Sequence, residues 1–187
     1  DRIEVVRGAA SLQYGTQFGG MINFVMKEGP EDKPFELTSR QTVGSWGFLN
    51  TFNSIGGTKG KFHYYGFYQY KRGDGWRENS GFDAHTAFGS VHYKPNNRLE
   101  LGFNYTYMDY LAQQPGGLRD ADFNQNARQS VRDRNWFKVN WNLLALTMDY
   151  RISERTKINV RNFGLLAQRD ALGFMGKINR PDDVTQP

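Results

Sequence analysis

The chain contains no cysteine among its 187 residues, which leaves no route to a disulfide framework or a cysteine-ligated metal site. It also lacks any apolar run near the roughly 20 residues that a membrane-crossing helix needs. The most apolar stretches, around Met21 to Met26 and Leu143 to Leu146, are far too short. Histidine is sparse: His63, His85 and His92 show no zincin spacing and read as wall residues. No nucleophile motif, phosphate loop or dinucleotide fingerprint is present, so the sequence gives no sign of an enzyme, a catalytic residue or a resident metal. A leader is missing too, because Asp1 opens directly into a strand-like segment. For an exported protein, the expected start then lies upstream.

What the chain does have is aromatic: 10 Tyr, 14 Phe and 4 Trp make up 15% of it, inside a mean hydropathy of −0.71. Many aromatics within a hydrophilic average suggest strands with one apolar and one polar face, the arrangement of a transmembrane barrel with lipid outside and a wet lumen inside. A strand needs only about 9–11 residues to cross, which a hydropathy scan does not detect. The net charge of +5 fits an anionic partner such as nucleic acid, lipopolysaccharide or a metal chelate, and equally a solvated surface.

The first 27 residues read as a compact β-turn-β unit, with Gly8, Gly15, Gly19 and Gly20 placed for tight turns or close backbone approach. Residues 28–34 (EGPEDKP) are charged, proline-containing and free of apolar side chains, as a linker would be. From Phe35 onward the pattern predicts strands near 35–43, 48–56, 62–71, 84–93, 98–108, 136–150 and 157–167. The fifth is clearest: Leu99, Leu101, Phe103, Tyr105 and Tyr107 alternate with Glu100, Gly102, Asn104, Thr106 and Met108. The third and sixth are apolar on both faces for part of their length, and their orientation stays open. Connections 57–61, 94–97 and 151–156 are tight; 72–83, 109–135 and the tail after Ala167 are long. Only 44–47 breaks the alternation. One short side and one long side is the layout of outer-membrane barrels, and seven strands are too few to close one.

The segment IEVVRGAASLQYGTQFGGMINFVMK resembles the end of the plug domain of TonB-dependent receptors, matching at Ile3, Glu4, Val5, Arg7, Gly8, Ser11, Leu12, Tyr14, Gly15, Gly19, Gly20, Ile22, Asn23 and Lys27. Ala9 stands where that family usually has proline, and Met26 where it has threonine. LAQQPGGL (111–118), NWFKVNWN (135–142) and RDALGFMGKINR (169–180) resemble the ferric citrate branch of the same family.

The resemblance implies an all-β chain: about seven strands of a large antiparallel transmembrane β-barrel, preceded by the C-terminal part of a plug. The plug part would be residues 1–27, the linker 28–34, and the barrel with its extracellular loops 35–187. It further implies outer-membrane localisation and TonB-dependent uptake of an iron(III) chelate, ferric citrate or a similar siderophore, with no covalently bound cofactor. The partners expected are that chelate, outer-membrane lipid and lipopolysaccharide, and the TonB complex through a segment upstream of Asp1.

Glu4 and Arg7 lie where the family makes ionic contacts between plug and barrel wall, and water in the lumen is the alternative surrounding for both. Arg72, Arg77, Arg119 and Arg128 are candidate carboxylate contacts for a citrate-type chelate, because the guanidinium fork suits bidentate binding. Gln113 and Gln114, before Pro115, Gly116 and Gly117, could shape a tip over the ligand or form a plain turn. Loop 109–135 carries Arg119, Arg128, Arg132 and Arg134 against Asp109, Asp120, Asp122 and Asp133, so its formal charge is zero. Trp46, Trp76, Trp136, Tyr107 and Tyr110 fit an interfacial girdle.

Three rival readings stand beside this one. A basic, aromatic nucleic-acid-binding barrel would want cations on its strand faces, but after Arg98 the fifth strand has none. A barrel enzyme would need a Ser/His/Asp-type cluster. A receptor for glycans, cobalamin or haem differs from the ferric citrate reading only in the loop strings.

Overall fold

The computed structural model describes residues 2–8, 19–174, 176, 177, 180, 182, 184 and 185. Ser11, Leu12, Tyr14 and Gly15 of the N-terminal motif lie outside the described residues. Strands β1 (Arg2–Val6) and β2 (Met21–Val25) pair antiparallel as a two-stranded sheet. A second sheet is a seven-stranded antiparallel meander in chain order: β3 (Glu36–Val43), β4 (Leu49–Lys59), β5 (Phe62–Gly73), β6 (Phe82–Asn96), β7 (Leu99–Gln113), β8 (Trp136–Arg151) and β9 (Lys157–Leu172). One short helix, α1 (Asp120–Gln125), interrupts the loop between β7 and β8. No helix among the described residues is long and apolar enough to cross a membrane.

All seven strands expected after the linker are present. The later ones run further than the sequence pattern suggests, β7 to Gln113 and β9 to Leu172. Strands β6 to β9 have 15 or 16 residues each, about 50 Å at ~3.3 Å per residue, twice the height of a barrel's apolar band.

Pairing fixes two faces. On one face, Phe62 opposes Tyr93, Tyr93 opposes Leu101, and Leu101 opposes Met148. Above that rung come Val91, Phe103 and Leu146, then Tyr105 and Leu144. Most exposed large apolar side chains of the meander lie here, from Leu37 (62% exposed) through Phe62 (51%) to Leu146 (55%), whereas Trp141, Phe163 and Leu165 lie on the other face. This is the outer, apolar-banded face. Phe62 and Tyr93 stack at 4.7 Å near the short turns, where a barrel places an aromatic girdle. Toward the long loops the same face turns polar: the Tyr70 hydroxyl donates to Asp83 at 2.6 Å, and Asn140 donates to Asp109 at 3.0 Å.

The opposite, inner face carries Ser54, Tyr65, Phe88 and Ser90, all buried. Phe52 and Phe67 lie 5.3 Å apart there and Phe67 and Phe88 5.9 Å, pairs worth about 0.5–1.5 kcal/mol each beyond area burial. The orientation left open for β5 is thereby resolved. Phe62, Tyr64 and Tyr68 point outward, and His63, Tyr65 and Phe67 point inward. Of the girdle candidates, Trp136 and Tyr107 lie on the outer face. Trp46 and Trp76 sit in loops beyond the strands. Tyr110 faces inward, opposite Val139, because β7 continues past the point where a strand end was expected.

Gly56 and Gly57 belong to β4 and not to the tight turn, whose left-handed residue is Gly60 (φ 62°). The pair marks a crossing. A Cβ on Gly29 would stand 2.3 Å from the Tyr64 carbonyl oxygen and 2.6 Å from the Gly57 nitrogen, and one on Gly57 would stand 2.3 Å from the Pro34 carbonyl oxygen. The stretch 29–34 therefore lies directly on the backbone of β4 and β5. Thr58 fastens it, donating its amide to the Lys33 carbonyl at 2.8 Å and its hydroxyl to the Pro30 carbonyl at 2.9 Å. Tyr64 adds a bond to the Pro34 carbonyl at 2.9 Å, and the Lys27 ammonium sits over the Tyr65 ring at 5.9 Å.

Candidate functional site

The candidate ligand residues gather at the long-loop rim, and the structure shows what occupies each guanidinium. Arg77 lies in the loop after β5. Its Nη1 donates to the Gly116 carbonyl at 2.8 Å and its Nη2 to the Gln129 carbonyl at 2.8 Å, with Nε on the same oxygen at 3.3 Å. Arg128 returns the connection, donating Nε to the Trp76 carbonyl at 2.9 Å, while its own carbonyl accepts the Glu78 amide at 2.9 Å. Loops 74–81 and 114–135 are thus laced through backbone carbonyls.

Gln113 stands at the end of β7 beside this lacing. Its amide donates to the Gly81 carbonyl at 2.8 Å and its Oε1 accepts the Gly81 amide at 3.2 Å. The Gln114 amide donates to the Asn135 carbonyl at 2.9 Å, closing the base of the loop. Arg119 lies apart. It caps α1 and grips Asp122 with Nε at 2.7 Å and Nη2 at 2.8 Å, and that bond holds the Asp122 carboxyl below the usual carboxylate range. Arg72, exposed at the end of β5 and opposite Asp83, lines an outward-facing cleft of about 310 Å³ with Tyr70, Gln113 and Trp136. Arg77 and Arg128 are therefore brought together with Gln113 and Gln114, whereas Arg119 and Arg72 point elsewhere.

Glu4 pairs with the second strand of the small sheet. Asn23 donates to it at 2.9 Å and Arg2 at 2.8 Å, and these bonds hold its carboxyl below the ordinary range. Arg7 follows β1 and is exposed.

Sequence reading missed Arg132 as a site-building residue. It is buried over the whole residue, 6% exposed. Nη1 donates to the Val131 carbonyl at 2.7 Å and the Arg180 carbonyl at 2.8 Å, and Nη2 to the Lys177 carbonyl at 3.1 Å and the Gly176 carbonyl at 3.2 Å. The Phe174 ring lies 5.1 Å from its guanidinium carbon. In the sequence it was one arginine among four in a charge-balanced loop, with nothing to separate a buried one from a solvated one.

A second concavity, about 610 Å³, sits at the short-turn end of the inner face. Lys61, Lys94, Arg98, Arg151 and Lys157 line it against Glu100 and Asp149. The histidines are wall residues as expected. His63 and His92 face inward, His92 against Glu100 at 2.9 Å, and His85 faces outward against Tyr68 at 2.6 Å. No group of metal-binding side chains occurs among the described residues.

No family model matches the chain. Among solved structures, the unliganded form of the ferric citrate transporter FecA is similar with a TM-score of 0.80 and 28% identity, over 94% of this chain and 28% of that one. The open form of the ferric-catecholate import receptor Fiu from E. coli K12 has a TM-score of 0.74 at 17% identity, over 91% of this chain and 29% of that one, a likeness of fold. The chain spans a little over a quarter of the length of each. With its open seven-stranded antiparallel sheet, apolar outer band and one short and one long rim, the chain is part of an outer-membrane β-barrel whose fold resembles that of TonB-dependent receptors such as the ferric citrate transporter.

Proposed function

We propose that the protein takes up an iron(III) chelate across the outer membrane, with ferric citrate as the cargo and TonB as the source of work. The observation that carries this reading is the 28% identity to a ferric citrate transporter across 94% of the chain, loops included. In this reading residues 1–27 are the end of a plug, 28–34 connect it to the wall, and 35–187 are barrel. The long loops face the cell exterior. Arg72, Arg77, Arg119, Arg128, Gln113 and Gln114 are the candidate contacts for the chelate, while Glu4 and Arg7 are those between plug and wall. Arg77, Arg119 and Arg128 already donate to partners in the protein and Arg72 lies on the outer face, so a chelate would meet the first three only in competition with those partners. The cation-lined concavity at the short-turn end gives an anionic cargo a favourable surface on the far side as well.

Calorimetric titration of the full-length receptor in detergent tests this with ferric citrate, iron-free citrate and a ferric catecholate. Tight binding of ferric citrate alone is the expected result. Binding of the catecholate alone reassigns the cargo within iron uptake, and binding of none of the three sinks the iron-chelate reading and directs the search to glycans, cobalamin and haem.

A further inference from the structure

Besides the short connection 44–48, three longer segments leave the long rim, and they are bonded to one another mainly from side chain to backbone carbonyl. Loop 74–81 reaches loop 114–135 through Arg77 and Arg128, as described, and through Asn79, which donates to the Arg132 carbonyl at 3.0 Å and to Asp133 at 3.1 Å. Loop 114–135 reaches the segment after β9 through Arg132, whose four bonds include carbonyls of Gly176, Lys177 and Arg180. Two further contacts run parallel to it. Arg134 pairs with Asp182 at 3.0 Å, the carboxylate side chain being fully buried, and the Phe174 amide donates to Asn135 at 2.8 Å. Arg132 thus belongs to both junctions, its carbonyl serving one loop and its guanidinium the other.

Two physical features make this more than loop packing. A buried cation is costly unless its donors are satisfied, and here four N–H groups of one planar fork each meet a backbone oxygen. Every acceptor of the Arg132 guanidinium among the described residues is a backbone carbonyl, so the junction depends on several carbonyls holding their positions together. Backbone acceptors also fix the path of the main chain, which a bridge between two mobile side-chain tips does not. A loop held this way cannot swing away without leaving a buried charge unsatisfied.

We propose that loops 74–81 and 114–135 form one rigid body with Phe174, Gly176, Lys177, Arg180 and Asp182 after β9, with Arg132 as its positioning residue, so that this side of the rim is assembled before any ligand arrives. Its use in capturing a chelate rests on the uptake reading above; the rigid body itself does not. For binding, a preassembled rim avoids the ordering cost that three independent loops would add.

The test is amide hydrogen exchange on the ligand-free full-length receptor, comparing wild type with Arg132→Ala, Arg132→Lys and Arg77→Ala. Arg132→Ala is expected to speed exchange about tenfold or more at the Phe174 and Asp182 amides, and also at the Glu78 amide, which lies in a loop that its guanidinium does not touch. Arg132→Lys should behave like alanine, since one ammonium cannot span the four carbonyls. Where Arg132→Ala does not fold, Arg77→Ala approaches from the other end and should loosen the Asp182 amide. Loosening confined to the loop nearest each substitution overturns the proposal, as does full rescue by lysine. A receptor that shows the coupling yet binds none of ferric citrate, citrate and the ferric catecholate refutes the uptake reading and leaves the rigid body standing.

Discussion

The two rims of the sheet are held by opposite means. At the short-turn rim, backbone lies on backbone: Gly29 rests on the β4–β5 ladder, Gly57 against Pro34, and Thr58 supplies the bonds. At the long-loop rim only scattered main-chain bonds, such as Glu78 to Arg128, join the loops, and long side chains span the rest of the gap from guanidinium to carbonyl. Close approach requires glycine, because a Cβ would occupy the space of the neighbouring main chain. Spanning requires arginine, because five donors on a flat fork can satisfy several carbonyls at once. The first device leaves no room for adjustment, and the second tolerates some. Substitutions should therefore hurt the short-turn rim more.

The largest effect is expected at the crossing. Gly29→Ala places a methyl group 2.3 Å from the Tyr64 carbonyl oxygen, which is main chain and cannot rotate away. Overpacking of this kind costs about 1–3 kcal/mol. The Thr58 amide, which donates to Lys33, should lose exchange protection, and the stretch 28–34 should become open to protease. Gly60→Ala is the control, since its added Cβ meets nothing within 4 Å and only the left-handed φ of 62° is penalised, about 1–2 kcal/mol. Should Gly60→Ala loosen the Thr58 amide as much as Gly29→Ala does, crowding at the crossing is not what holds the linker.

A smaller effect is expected at Asn79, which combines a left-handed φ of 51° with two side-chain bonds across the loop junction. Asn79→Gly keeps the backbone at ease and removes only the bonds, with an expected cost of about 1 kcal/mol. Asn79→Ala adds the backbone penalty, about 1 kcal/mol more. Protection of the Glu78 amide reports both. If the glycine variant is as protected as wild type, the Asn79 side-chain bonds contribute nothing to the junction and the long rim is held by its other links, Arg77, Arg128 and Arg132 among them.

How much of this was legible beforehand follows from what each device looks like in one dimension. The seven strands were readable because lipid on one side imposes a period of two, as Leu101, Phe103, Tyr105 and Tyr107 show. The strand ends at the long rim were not. There the outer rungs pair Tyr70 with His85 and Asp109 with Asn140, so the ladder continues where the apolar alternation stops. Gly57 read as a turn because glycine signals both turns and close approach, and only the fold tells them apart. Arg77 and Arg128 were correctly assigned to the long rim, but their acceptors are carbonyls, which every residue has and no sequence pattern advertises. Arg132 was hidden for the same reason. A charge count sees four arginines facing four aspartates, whereas in the structure only Arg119 and Arg134 pair with aspartates described here, one of them Asp182 from outside that loop.

That distinction between carbonyl and carboxylate acceptors yields the smallest effect and the sharpest contrast. Arg119 and Asp122 form an exposed pair whose bond depresses the Asp122 carboxyl. A depressed carboxylate contributes stability above the ordinary carboxylate range and loses it as pH falls through its lowered folded value. The cap of α1 should therefore hold at neutral pH and fray on acidification. Asp122→Asn should reproduce the frayed state at neutral pH, and salt should weaken the pair because it is exposed. The Phe123 amide, which donates to the Arg119 carbonyl at 2.9 Å, reports the cap through its protection factor. Arg77 offers the comparison, since the acceptors of its guanidinium are all carbonyls and none of them titrates. The Val131 amide, bonded to Pro115 between those acceptors and Arg132, should keep its protection over the range in which Phe123 loses it. If both fade together, the loops answer to acid as a whole, and carbonyl-held and carboxylate-held parts of the rim cannot be told apart by pH.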